Sequence, residues 1–345
     1  MNSSTKLRNV NIPIRLLYQL LANSEYNGRH FFTRQDVQNQ KIDLLGLLLL
    51  LTAMLTWASS FIALKSAIGP LGPMSVVFGR MVIASLCFVY FIKGFLKLEF
   101  TKKDIKYILL MTAFEPCLYF IFEAKALQYT TASQAGMITS MMPLMTAIGA
   151  AIALKEVITK KVIIGSLLAV VGAVWLSLSA QSSEHASNPL LGNFLEFCAM
   201  VCGTFYAISV RYLSQKFPAL FLTAMQAFMG VIFFFPLATW EYFTMPTMTL
   251  TLETFGWICY LGIVVTLGGY GMFNLALSRI EASKASVFVN LIPVFTVLLA
   301  FIFLDEVLSK MEMMASFVIF GGIIVSQLPN FRQRSIKESK HHDQN

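Results

Sequence analysis

The sequence predicts an all-α polytopic membrane protein, and three observations carry that expectation. Apolar runs of about twenty residues recur along the chain, the length at which a helix crosses a bilayer's hydrocarbon core. Of the 345 residues, 57% are hydrophobic and 13% charged, too little polar surface to cover a water-soluble fold of this size. The runs also lack the strict polar/apolar alternation of a transmembrane β-barrel.

Ten transmembrane helices are expected: 44–66, 74–91, 105–127, 132–154 and 161–178 in the first half, then 190–213, 219–240, 255–277, 282–304 and 313–328. The connections are short, so no soluble domain is inserted. Residues 1–41 read as an N-terminal extension without the apolar core of a cleavable signal peptide. Its amphipathic patch, 14–21, suits a membrane face, and a disordered extension or an early start codon suits it equally well. Residues 329–345 form a basic tail.

Lys and Arg fall mainly on one side of these spans. That side takes the bases of the N-terminal extension, Lys93, Lys97, Lys102, Lys103, Lys106, Lys155, Lys160, Lys161, Arg211, Lys216, Arg279, Lys284 and those of the tail. The other side takes Lys65, Lys125 and Lys310. Positive loops stay inside, so both termini are expected in the cytoplasm. The net charge of +8 is then an orientation signal and calls for no nucleic-acid partner. The five cysteines lie within expected spans and form no CxxC pair, and they read as small packing residues. All four histidines lie outside the membrane, which removes them from any intramembrane proton relay or metal site. Neither a metal nor a cofactor is expected.

SMMPLMT (140–146) and NLIPVFT (290–296) place a proline in mid-run, 150 residues apart. At the same offset Ala126 meets Ala276, Leu127 meets Leu277, Ala132 meets Ala282, Ser133 meets Ser283, Thr146 meets Thr296 and Glu156 meets Glu306. Shared apolar composition does not explain coincident Pro, Thr and Glu. The start of each half agrees more loosely, Ala53-Met54 recurring as Ala199-Met200 and Lys65 as Arg211. Each half, 42–180 and 190–328, therefore holds five spans. An odd number inverts the second copy. Two inverted five-helix repeats are the signature of secondary transporters, which place substrate near the midplane between the repeats.

The stretches WASSFIALKSAIGPLGPMSVVFGRM (57–81), ALQYTTASQAGMITSMMPLMTAIGAAIALKE (126–156) and ALSRIEASKASVFVNLIPVFTVLLAFIFLDE (276–306) resemble the drug/metabolite transporter superfamily and its EamA-type repeats. The resemblance covers about 42–328, and the extension at 1–41 is unusual for it. It implies export of a small organic metabolite across a bacterial inner membrane without naming the substrate. It also implies that Arg80 is a common second-span feature.

Pro143 and Pro293 are expected to kink their helices as hinges, freeing the carbonyls of Thr139 and Val289. Ser140 and Asn290, three residues earlier, would line the cavity. The alternative is a helix-to-helix hydrogen bond of about 0.6 kcal/mol each. A carboxylate in mid-helix costs about 2.5–3.5 kcal/mol to insert, which makes an unexplained one a functional candidate. Glu115, sharing a face with Tyr119, is the candidate for proton coupling or for binding a substrate amine. Glu196 is second, and Glu123 lies nearer the outer end of the third span. The alternative for these groups is a structural ion pair with Arg80. Glu156 and Glu306 read as structural, pairing with Lys160 and Lys310. Trp57 and Phe61, four apart, together with Tyr206 and Tyr270, would give an aromatic-lined cavity for amphiphilic or cationic solutes, or pack in the core. GGYG (268–271) reads as a site of close helix packing or a bend.

The leading expectation is alternating access by a secondary transporter, coupled to protons or facilitated. The partners are a small-molecule substrate and the lipid bilayer, and the oligomeric state is open. A lipid or lipid-carrier flippase on the same fold is the alternative. An intramembrane enzyme is remote, because no aspartate pair, buried histidine or HExxH motif is present.

Overall fold

The computed structural model describes residues 44–154, 160–183, 186–214, 216–245, 248–277 and 288–327. The N-terminal extension, Glu156, Ser283 and the tail 329–345 lie outside the described residues. The first half contains α1 (Leu44–Leu71), α2 (Pro73–Val89), α3 (Lys102–Thr112), α4 (Tyr119–Tyr129), α5 (Ala132–Thr139), α6 (Met142–Leu154) and α7 (Lys160–Ser179). The second contains α8 (Pro189–Leu213), α9 (Ala219–Thr244), α10 (Leu252–Cys259), α11 (Tyr270–Leu277), α12 (Leu291–Leu304) and α13 (Lys310–Gln327). A π-helical segment joins α3 to α4 at Ala113–Leu118, and another joins α10 to α11 at Tyr260–Gly269. Among the described residues there is no β-strand.

Among the described residues, five helical stretches are long and apolar enough to cross a membrane: Leu44–Leu71, Lys102–Tyr129, Pro189–Val210, Ala219–Thr244 and Leu252–Phe273. Pro73–Val89, Ile163–Ser179 and Leu291–Leu304 are shorter apolar helices. This is a polytopic helical membrane protein. Helix starts follow from short polar signals. Thr101 and Asp104 form a reciprocal capping box on α3. Thr131 caps α5, Thr251 caps α10, and Asn188 caps α8 just before Pro189. Ser309 and Glu312 exchange the same pair of bonds at the start of α13.

The packing follows a two-fold pattern. Helix α1 packs against α10, the second π segment, α11 and α12, while α8 packs against α3, the first π segment, α4, α5 and α6. Helices α2 and α9 pair with each other, as do α7 and α13. The α7–α13 contact depends on small residues. A Cβ at Gly322 would lie 2.5 Å from the Gly165 carbonyl oxygen, and one at Gly172 would lie 2.8 Å from the Ile319 amide nitrogen. Without a hydrophobic drive between helices in lipid, such close backbone approach is what holds them.

The prolines break their helices instead of kinking them. α5 ends at Thr139 and α6 starts at Met142, so Pro143 stands in the first turn of α6. Pro293 likewise stands in the first turn of α12, after Asn290. A first-turn residue has no intrahelical acceptor for its N–H, so proline loses nothing there. The chain turns instead at Ser140, whose amide and hydroxyl both donate to the Met137 carbonyl. The two broken helices meet closely: a Cβ on Gly136 of α5 would fall 2.7 Å from the Thr296 methyl of α12.

Candidate functional site

Both copies of the third helix are interrupted at repeat-equivalent places, and the buried polar side chains collect there. Glu115 is extended (φ −140°, ψ 118°) within the first π segment and is followed by Pro116, which has no N–H for the helical ladder. Its Oε1 accepts a hydrogen bond from the Tyr270 hydroxyl at 3.1 Å, across the boundary between the halves. Its carbonyl oxygen accepts from Gln226 Nε2 at 3.4 Å, and the Tyr206 hydroxyl donates to Gln226 Oε1 at 3.3 Å.

One turn beyond Glu115, the Tyr119 hydroxyl donates to Glu123 Oε1 at 3.2 Å. From α8, Glu196 Oε1 accepts from Thr139 Oγ1 at 3.0 Å. Glu196 Oε2 is buried with no hydrogen-bond partner among the described residues. Tyr119 lies close enough to Glu115, Glu123, Glu196 and Tyr270 for their charges to bear on its hydroxyl. A Cβ on Gly203, two turns along α8 from Glu196, would already be 3.4 Å from the Tyr119 ring. The helices are in van der Waals contact at this level.

Arg80 reaches the same region from α2. Its Nε donates to Thr266 Oγ1 at 3.1 Å, and its guanidinium carbon lies 4.4 Å from the Phe120 ring centroid. Thr266 Oγ1 in turn donates to the Leu261 carbonyl five residues back, within the π segment. Among the described residues no carboxylate stands at ion-pair distance from Arg80, and its charge acts on Glu115 and Glu123 from farther away. Arg80 and Gln226 are 146 residues apart, the offset that aligns Ala53-Met54 with Ala199-Met200. Each reaches into the π segment of the opposite half, Arg80 to Thr266 and Gln226 to Glu115.

Trp57 forms the aromatic wall. Its ring lies 5.3 Å from Tyr270, edge-on, and 5.1 Å from Phe273. Gly269 makes this possible, since a Cβ there would fall 2.8 Å from Trp57 Nε1. The GGYG stretch thus serves close packing of α1 on the second π segment. Phe61 is buried in the main apolar core. Among the described ring contacts, Trp57 pairs with Tyr270 and Phe273, not with Phe61.

Glu306 departs from the pairing expected for it. Its carboxylate lies against the start of α5 and accepts from the amides of Ala132 and Ser133, not from Lys310. Nearby, Asn193 Nδ2 donates to Gln134 Oε1 at 2.8 Å, and Gln134 Nε2 donates to Glu312 Oε1 at 2.7 Å. This polar network ties α5, α8 and α13 together where α4 turns into α5.

Sequence reasoning therefore named Glu115, Tyr119, Glu196, Tyr206, Tyr270 and Trp57, which the fold brings together. It passed over Thr139, Gln226, Thr266 and Phe120. Gln226 carried a usable signal, because the repeat offset sets it opposite Arg80.

Residues 44–178 and 190–327 each match the EamA-like transporter family. The chain belongs to that family. It is 28% identical over 252 residues to YetK, an uncharacterized transporter of Bacillus subtilis (strain 168), covering 72% of this chain and 76% of that one. An uncharacterized transporter of Archaeoglobus fulgidus is 30% identical over 277 residues, 79% of this chain and 83% of the relative. A more distant EamA-like relative, 20% identical over 278 residues, is a probable terminal-alkyne amino-acid exporter of Streptantibioticus cattleyicolor, with 80% and 91% covered. A solved crystal structure, 18% identical, shares the fold at a TM-score of 0.53 over 81% of this chain and 96% of that one.

Proposed function

We propose that this EamA-like transporter is a secondary exporter of a small organic metabolite, amino-acid-like or amphiphilic, working by alternating access. The ten spans would form two inverted five-helix repeats in a bacterial inner membrane, with both termini cytoplasmic. The observation that carries this reading is the meeting of the two interrupted third helices at Glu115 and Tyr270, with buried charge from both halves around them. Irregular helix at membrane depth is tolerated where protein or a wet cavity satisfies it, and transporters use such interruptions for their substrate sites. The amino-acid exporter among the relatives supports an amino-acid-like solute. Glu115 would bind the substrate or carry the coupling proton.

The test compares extracellular and intracellular metabolites in cells overproducing the wild type or Glu115→Gln. Enrichment of a few compounds outside wild-type cells, absent with the variant, supports export through this site. Equal enrichment with both keeps the exporter and removes Glu115 from its mechanism. No enrichment with either overturns export, and vesicle assays would then ask for lipid flipping.

A further inference from the structure

The buried site is rich in acceptors and poor in donors. Three carboxylates, Glu115, Glu123 and Glu196, surround Tyr119, and Arg80 is the cation that acts among them. Among the described residues the groups that donate to these carboxyls are neutral: the hydroxyls of Tyr270 to Glu115, Tyr119 to Glu123 and Thr139 to Glu196, with the Gln226 amide also near Glu115. A carboxyl oxygen can accept two hydrogen bonds, so one hydroxyl per residue leaves acceptor sites unfilled. Glu196 shows the deficit directly. It is 0% exposed, and its Oε2 has no hydrogen-bond partner among the described residues. A buried acceptor in that condition is costly unless something donates to it when the site is at work.

We propose that Glu123 and Glu196 together hold the protonated amine of the transported solute, so that the substrate class is organic amines. The two residues lie on α4 and α8, which pack against each other, and Glu123 stands close enough for its charge to bear on Glu196. An ammonium brings three N–H donors and one positive charge, matching the unfilled Glu196 Oε2 and giving the buried carboxyl groups a cation to face. Tyr270 bonds Glu115 and Trp57 packs edge-on against Tyr270, so the two rings give the solute's apolar body a surface to cover. An anionic solute would face three carboxyl groups against one guanidinium, and an uncharged alcohol brings one donor where an ammonium brings three. The inference rests on the transporter reading above and adds the substrate's charge.

The test is equilibrium binding to the purified full-length protein in detergent, followed by thermal shift and by tryptophan fluorescence. The probes are 2-phenylethylamine, tryptamine and putrescine, each compared with matched neutral or acidic molecules, including 2-phenylethanol and 3-phenylpropionate. At least one amine should bind saturably, and its matched alcohol and acid should not. Glu196→Gln should weaken that amine by about tenfold or more, the loss of one charge-assisted hydrogen bond. Thr139→Val, which removes only the hydroxyl holding Glu196, is the second variant if Glu196→Gln does not fold, and it should shift the same affinity. Equal binding of amine and alcohol, preference for the acid, an unchanged affinity in the folded variants, or no binding by any amine would overturn the proposal. Failure of the two readings stays distinguishable. Export of non-amine metabolites sinks the amine site and keeps the transporter, while amine binding without any metabolite export sinks the transporter reading.

Discussion

Glu306 and Ser133, from opposite halves of the chain, are joined by two hydrogen bonds: Glu306 Oε2 accepts from both the amide and the hydroxyl of Ser133 at 2.9 Å. Its Oε1 accepts from the Ala132 amide, also at 2.9 Å. The carboxylate thus covers the N-terminus of α5, where amides lack intrahelical acceptors and the helix dipole favours negative charge. Lys65 of α1 covers the other side of the same turn, donating to the Leu127 and Thr130 carbonyls near the end of α4. One turn of the first half is therefore held by an acid from the second half and a base from α1.

Replacing that carboxylate should be felt as lost stability. Glu306→Ala leaves two buried amides and a hydroxyl without an acceptor, at a cost of about 1–3 kcal/mol. Glu306→Gln keeps one acceptor oxygen and should lose less. Thermal unfolding of the detergent-purified proteins gives the order wild type, Gln, Ala. Identical midpoints for wild type and Ala would show that the contact contributes nothing.

Lys65 and Glu306 should also depend on each other, since both grip the turn between α4 and α5. In a double-mutant cycle with Lys65→Met and Glu306→Gln, the stability losses should deviate from additivity by about 0.5–3 kcal/mol. Strict additivity would mean that the two ends of the turn respond independently.

At Gly269 the missing side chain is what lets Trp57 close on the second π segment. Gly269→Ala puts a methyl 2.8 Å from Trp57 Nε1 and forces the indole off Tyr270, the residue that bonds Glu115. Overpacking of this kind costs about 1–3 kcal/mol. The expected result is normal membrane insertion with a shifted tryptophan emission and reduced export of the metabolite identified for the wild type. Unchanged emission and export would show that α1 can yield without disturbing the site.

The polytopic helical class was legible in the sequence, because a membrane turns helix length and apolar composition into a local signal. The apolar runs are such signals, and the offset linking Pro143 with Pro293 placed both prolines at equivalent helix breaks. The π segments were harder to see. Pro116 marked the first, whereas the second is an apolar stretch whose cue was only Gly268-Gly269. Partners across helices were least legible. Glu306 sits four residues from Lys310 in sequence, yet it is the free amides of α5, folded over from the other half, that take its carboxylate. Likewise the intramembrane charges suggested an ion pair for Arg80, but the structure gives it a hydroxyl and an aromatic face.

That pair of contacts makes Arg80 hard to replace even by lysine. The planar guanidinium donates sideways from Nε to Thr266 while its face covers Phe120, so one group bridges α2, the second π segment and α4. An ammonium is a compact point charge and cannot keep both contacts from the same position. Arg80→Lys preserves the net charge felt by Glu115 and Glu123, so a purely electrostatic role predicts near-normal export. The geometric role predicts a loss of about tenfold or more in export rate, the equivalent of roughly 1.4 kcal/mol, at unchanged protein level in the membrane. Measuring efflux of the identified metabolite from cells carrying wild type, Arg80→Lys and Thr266→Val separates the two. If bridging matters, Thr266→Val should be impaired in the same direction, because it removes the Arg80 acceptor without touching any charge.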